Sequence, residues 1–260
     1  MNMQLTSVHL AKQISTENAP LAATDLSSLF IHQPRERFAA GAPIFWEGDR
    51  ATHVYEVTDG MLRAVRLLSD GRRIIVGFLR PGDLLGVSFR DQYIYTVEAV
   101  TKVELRRFPR HLFEGEIARQ PILRELLFSR LCDEMSAAQD QAVLLSRRSA
   151  DEKLASFLLR MASRRIGQHM AVDLPMTRQD IADYLGMTIE TVSRTTTKLS
   201  NSGIVATPDR HIITILRMDA LRSIAEGEEC ETWFAPSTFK MRRQAGDPQN
   251  AMDEHDRQPH

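Results

Sequence analysis

The residues with the clearest capacity for chemistry are Ile189, Glu190, Ser193 and Arg194, inside the run Thr177 to Leu199 that reads TRQDIADYLGMTIETVSRTTTKL. At helical spacing they share one face near a helix start. That chemistry is hydrogen bonding to base edges in the major groove of DNA. An arginine donates a bidentate pair to guanine O6 and N7, a glutamate accepts from cytosine N4, a serine bonds to either, and an aliphatic side chain lies against a thymine methyl. The competing use of Glu190 and Arg194 is an ordinary i, i+4 ion pair on a solvated helix.

Base reading requires elements that hold this face outward. Thr177 followed by Asp180 is a helix start, and Ile181, Ala182 and Leu185 line one side of the short helix it opens. Gly186 supplies a tight turn with Met187 beneath it, and Thr188 caps a second helix whose inner face is Val192, Thr195 and Leu199. The spacing of Ala182, Gly186 and Val192 lets two helices cross closely and presents the second outward, which predicts a helix-turn-helix. Past Gly203, the runs Ile204 to Ala206 and Ile212 to Ile215 flank Thr207-Pro208-Asp209-Arg210-His211 and predict a two-stranded wing. Thr177, Arg178, Thr188, Thr191, Lys198, Arg210 and His211 are the expected contacts to the DNA backbone, positioning the module without specifying sequence. Thr195-Thr196-Thr197 and Ser200-Asn201-Ser202 are poor helix formers, so the second helix is expected to fray near Gly203.

The formal net charge of the 260 residues is -1, which alone argues against a nucleic-acid partner. That sum conceals opposed segments. Residues 1–145 carry -1, residues 146–223 carry +4 and residues 224–260 carry -4, so a basic block coincides with the helix-turn-helix and an acidic tail masks it.

Upstream, Phe38 to Phe108 reads as short strands separated by turn signals at near-regular intervals: Gly41, Gly48-Asp49, Asp59-Gly60, Asp70-Gly71 and Gly82-Asp83. This pattern suits a β-barrel or jelly roll, with Asp70-Gly71 as a hairpin turn. Leu127, Leu131, Met135, Ala138, Ala142 and Leu145 then recur at steps of three and four, an apolar stripe that needs a partner. Either the chain's own barrel or the same helix of a second copy can supply it. Ser149-Ala150-Asp151-Glu152 announces a further helix through Leu154, Phe157, Leu158 and Met161. From Glu226 onward the composition predicts a disordered tail. The expected organisation is an N-terminal arm (1–30), a barrel (31–120), a dimerisation helix (121–147), a winged helix-turn-helix (148–225) and a tail (226–260).

Enzyme chemistry finds little support. No nucleophile elbow, P-loop or dinucleotide fingerprint appears. Of the eight histidines only His53 falls in the strand-rich stretch Phe38 to Phe108, so a jelly-roll metalloenzyme lacks its ligand cluster. Cys132 and Cys230 cannot build a disulfide framework or a four-thiolate site. No apolar run reaches the roughly 18 residues of a membrane span, and the cytoplasm is the expected compartment. No catalytic residue, metal or cofactor is expected.

The order barrel, long apolar helix, winged T-x-E-T-V-S-R module resembles the CRP/FNR family of bacterial transcription regulators, and most of all its FixK-like branch. The resemblance runs from about Arg35 to Ile224 and includes G-D-x-A at Gly48, R-P-G-D-x-x-G from Arg80 to Gly86, and L-P-M-T-R-Q-D-I-A-D-Y-L-G from Leu174. It implies an α+β architecture with a cyclic-nucleotide-binding-like jelly roll, a dimer built on the long helix, and paired recognition helices on palindromic DNA. It also implies RNA polymerase as a partner, activation in a low-oxygen or nitrogen-fixation programme, and no membrane association. The set Glu190, Ser193 and Arg194 is similar to the FNR type, which implies a TTGAT-N4-ATCAA-like site; CRP-type readers carry an arginine where Ile189 stands.

Departures from the family pattern bear on the signal. Cyclic-AMP binders carry G-E and R-S pairs where this chain reads Gly86-Val87 and Tyr93-Ile94, so a buried cyclic phosphate would lack its guanidinium partner. No cysteine precedes Cys132, which excludes a four-cysteine iron–sulfur sensor. The alternative is a regulator gated by some other small molecule in its barrel.

Overall fold

Apolar strands punctuated by glycine turns stack into two antiparallel sheets. The computed structural model describes residues 25–227 apart from 88, 89, 147, 148, 163 and 167, with the main chain alone at 164 and 166. Of the tail expected to be disordered, Glu226 ends a helix capped by Gly227, and the rest, Cys230 included, lies outside the described residues, as does the arm before residue 25.

The jelly roll comprises β1 (Arg35–Phe38), β2 (Pro43–Phe45), β3 (His53–Asp59), β4 (Leu62–Leu67), β5 (Arg73–Leu79), β6 (Leu84–Leu85), β7 (Thr96–Ala99) and β8 (Val103–Pro109). They order as β1-β8-β3-β6 in one sheet and β2-β7-β4-β5 in the other. Alternation decides which side chains meet between the sheets: β7 buries Val97 and Ala99 and leaves Thr96 and Glu98 half-exposed. The expected hairpin joins β4 to β5, with Leu67 opposite Arg73 and Leu68 N–H donating to the Arg72 carbonyl across the Asp70-Gly71 turn.

A 3-10 helix (Leu26–Phe30), α1 (Arg110–Arg119) and the start of α2 (Pro121–Ser146) close one end of the barrel. Leu26, Phe30, Phe113, Leu123 and Leu127 pack there with Val54 and Leu84. Among the described residues the packing thus reaches back to Leu26, inside the stretch 1–30 assigned from sequence to an N-terminal arm. Apolar Leu26 and Phe30 find a home only once α2 has been laid across the barrel.

The C-terminal module holds α3 (Ala150–Met161), α4 (Arg178–Leu185), α5 (Ile189–Asn201) and α6 (Met218–Glu226) against a sheet ordered β11-β12-β10-β9. Its strands are β9 (Arg164–Ile166), β10 (His169–Asp173), β11 (Val205–Asp209) and β12 (Ile212–Ile215). Ser149 caps α3 by accepting from the Glu152 amide at 3.1 Å. Leu154, Phe157, Leu158 and Met161 are all buried, as the helical period predicts.

The two halves share a core. Met61, Val65 and Ile75 of the barrel belong to one apolar cluster with Phe157, Leu185, Val192 and Leu199. The Phe78 ring of β5 lies 6.5 Å from Phe157 and 5.3 Å from Tyr184. Among the described residues no helix is long and apolar enough to cross a membrane.

Phe157 is wholly buried at this junction, so Phe157→Ala leaves a cavity lined by both halves. The expected cost is about 3–5 kcal/mol, read as a lower urea midpoint.

Candidate DNA-binding surface

Thr177 and Asp180 form a reciprocal capping box at the start of α4. The Thr177 hydroxyl accepts from the Asp180 amide at 3.1 Å, and the Asp180 carboxylate accepts from the Thr177 amide at 3.0 Å. Gly186 ends α4 in the left-handed region, φ 62°, and its amide closes on the Ala182 carbonyl. Thr188 then caps α5, accepting from the Thr191 amide at 3.2 Å. The chain thus turns between helices in three residues, and the buried residues Ile181, Ala182, Leu185, Val192 and Leu199 hold the pair together.

The expected fraying of α5 does not occur. The helix runs to Asn201, with Thr195 and Thr196 buried. The Thr196 and Thr197 hydroxyls donate to the carbonyls four residues earlier, at 2.8 and 3.0 Å. Tertiary burial overrides a weak intrinsic propensity, and the back-bonds satisfy the hydroxyls. The end is stopped by Gly203 in the left-handed conformation, with the Ile204 amide returning to the Leu199 carbonyl.

Ile189, Glu190, Ser193 and Arg194 all stand exposed on the first turns of α5, together on one face. The Glu190 carboxylate accepts from its own backbone amide and from the Thr188 hydroxyl, and these bonds hold its pKa below the usual carboxylate value. Among the described residues Arg194 forms no ion pair within 4 Å, so its guanidinium is not consumed by Glu190.

The other positioning candidates divide. Thr177 and Thr188 are exposed at the two helix starts, and Thr191 is half-buried behind Thr188. Arg178 sits at the first position of α4; burial pushes its pKa down, and its Nη1 has no hydrogen-bond partner among the described residues. Lys198 is exposed and already paired, its Nζ 2.6 Å from Asp151 of α3. The wing forms as expected from β11 and β12, with Arg210 exposed at its tip. His211 is tied back, its Nδ1 3.1 Å from the Leu174 carbonyl.

The apolar stripe of α2 serves two surfaces. Leu127 is buried in the barrel core and Leu131 packs half-buried beside it. Met135, Ala138, Ala142 and Leu145 remain exposed. Phe128, 70% exposed, lies one heptad before Met135 and continues that open face. Sequence reasoning missed Phe128 because Leu127 satisfies the same period; only the barrel's position separates them.

Two further residues carry no sequence signal. Arg63 of β4 and Arg73 of β5 reach across to α4, placing Nη atoms 2.8 and 2.7 Å from the Asp180 carboxylate.

In the barrel, the rings of Phe45, Tyr55, Tyr93 and Tyr95 pack together. Tyr93 is buried, stacks on Phe45 at 3.8 Å, and donates its hydroxyl to the His53 carbonyl at 2.9 Å. Burial pushes the neighbouring Tyr95 phenol up to about 12. A Cβ at Gly86, φ 79°, would lie 2.8 Å from that same His53 carbonyl, so the turn requires glycine. Among the described residues no group of three or more histidine, cysteine, aspartate or glutamate side chains is placed to hold a metal ion.

Two family models match: a Crp-like helix-turn-helix domain at residues 152–224 and a cyclic nucleotide-binding domain at residues 35–120. The chain is 45% identical to the nitrogen fixation regulation protein FixK of Bradyrhizobium diazoefficiens over 175 residues, 66% of this chain and 74% of FixK. It is 42% identical to the transcriptional activatory protein AadR of Rhodopseudomonas palustris over 190 residues, 71% of this chain and 80% of AadR. The solved structure of FixK2 from Bradyrhizobium japonicum superposes with a TM-score of 0.69 at 31% identity, covering 74% of this chain and 96% of FixK2.

The left-handed conformation at Gly186 sets the angle between α4 and α5. A Cβ there meets only Leu145 Cδ2 at an ordinary 3.5 Å, so backbone strain rather than crowding decides the outcome. Gly186→Ala is expected to lower stability by about 1–2 kcal/mol in chemical denaturation.

Proposed function

Since the chain belongs to the CRP/FNR family of DNA-binding transcription regulators and is FixK-like within it, we propose that it acts as a homodimer reading an FNR/FixK-type palindrome. The observation that carries this reading is the exposed N-terminal face of α5, with Ile189, Glu190, Ser193 and Arg194 side by side on it. Arg194 pairs with a guanine, Glu190 accepts from a cytosine amino group, Ser193 completes the hydrogen bonding and Ile189 covers a thymine methyl. The site is TTGAT-N4-ATCAA-like, by likeness of this set to the FNR type.

Phosphates are met by Thr177, Arg178, Thr188 and Thr191, with Arg210 reaching from the wing. Lys198 and His211 border the same surface and exchange their internal partners for phosphate only at some cost.

The dimer forms along the open face of α2: Phe128, Met135, Ala138, Ala142 and Leu145, with Leu131 at its edge and Leu127 spent on the barrel. Exposed phenylalanine and methionine on a helix this long are supported by association with a second copy. Two-fold symmetry then sets the recognition helices about one DNA turn, roughly 34 Å, apart.

Neither cyclic AMP nor an iron–sulfur cluster gates this regulator. The Tyr93 ring supports the first statement, and the absence of cysteine before Cys132 the second. Activation is supported by the relative named a transcriptional activatory protein and a nitrogen-fixation programme by the relative named FixK, while RNA polymerase as partner, the cytoplasm and a low-oxygen programme rest on the family resemblance.

Arg194→Ala is expected to weaken binding to the palindrome by roughly 1–3 kcal/mol at matched salt, measured by fluorescence anisotropy. Equal affinity would exclude base reading by this side chain. Met135→Asp is expected to convert dimer to monomer at micromolar concentration in sedimentation equilibrium, because a carboxylate cannot be buried unpaired in an apolar seam.

A further inference from the structure

The β4–β5 hairpin ends on the helix-turn-helix. Asp180, the residue that caps α4, has a side chain only 1% exposed. One of its oxygens serves the cap, accepting from the Thr177 amide and hydroxyl at 3.0 and 2.8 Å. The other accepts from two barrel guanidiniums, Arg63 Nη1 at 2.8 Å and Arg73 Nη2 at 2.7 Å. Arg73 also grips Asp183, one turn further along α4, at 3.1 Å. Glu98 of β7 backs the arrangement, 2.8 Å from Arg63 and 3.7 Å from Arg73.

Two cations are thus interleaved with three carboxylates, two of which belong to α4. Planar guanidinium forks satisfy such partners over a narrow range of orientations. Rotating α4 away would leave a buried carboxylate short of donors. Because the turn at Gly186 joins α4 rigidly to α5, whatever orients α4 orients the base-reading face.

We propose that Arg63 and Arg73 are positioning residues for DNA reading. Through Asp180 and Asp183 they fix α4, and with it α5, at one angle to the barrel and its long helix, so that a dimer accepts half-sites of one spacing. This rests on the reading of the chain as a DNA-binding homodimer. Neither arginine contacts DNA in it.

The test uses the full chain and two double variants, R63Q/R73Q and R63K/R73K. Binding is measured to the palindrome, to the same palindrome with its spacer lengthened by one base pair, and to an unrelated duplex over a range of salt. R63Q/R73Q is expected to lose at least tenfold on the palindrome and most of the preference for its spacer. Its affinity for the unrelated duplex and the salt slope should stay unchanged, since phosphate contacts are intact. R63K/R73K, which keeps both charges, is expected to regain a substantial part of the loss.

X-ray scattering of the DNA-free dimer supplies a reading independent of any operator: the radius of gyration should rise in R63Q/R73Q. A folded R63Q/R73Q that keeps both palindrome affinity and spacer preference, or scatters identically to the parent, overturns the proposal. If that pair does not fold, R73Q alone, whose side chain is one-third exposed, is expected to show a smaller loss of the same kind; no loss rejects the role. Failure of the parent to bind the palindrome would reject the DNA reading, and the scattering comparison would still decide whether the arginines hold the domains.

Discussion

A carboxylate removed from water must find its donors inside the protein, and at Asp180 they come from three directions. The cap of α4, strand β4 and strand β5 all converge on a side chain 1% exposed. Burying that charge is tolerable only while every donor is present. The start of the helix-turn-helix and the flank of the barrel are therefore one electrostatic unit. The apolar cluster that joins Met61, Val65 and Ile75 to the core of the winged module links the same two halves. Affinity between the halves comes from the apolar contact, and direction comes from the forks of Arg63 and Arg73.

The long helix α2 shows how one periodic stripe is shared between neighbours. Its first turns are committed to the barrel through Leu123 and Leu127, and Leu144 near its end is buried in the core of the winged module, which leaves the face of Phe128, Met135, Ala138, Ala142 and Leu145 exposed. Leu145 also reaches the Gly186 turn. The same helix thus borders the barrel, the open face and the helix-turn-helix. A change in its position is felt at all three.

Much of the candidate site was legible in sequence because its determinants are local. The capping pair Thr177 and Asp180, the turn at Gly186, the cap at Thr188 and the wing around Arg210 are set by residues within a few positions of one another. The structure forms each of them. Local reasoning failed where a local preference met a tertiary demand. Three consecutive threonines predict a weak helix end, yet Thr195 and Thr196 are buried and the helix holds. Leu127 and Phe128 fit the stripe about equally well, and only the barrel's surface assigns one to the core and leaves the other exposed.

By itself the sequence determined the order of parts, the two helices and the turn between them, the outward residues of the second, and the lack of the ligand pairs that a cyclic phosphate or an iron–sulfur cluster requires. These follow from hydrogen bonds and periodicities that close within one or two turns of chain. Tertiary structure alone decided which arginines of the barrel meet α4, since Arg63 and Asp180 stand 117 residues apart. It also decided which face of α2 is exposed. Both outcomes depend on how two already formed surfaces fit, and no short window of sequence contains more than one of them.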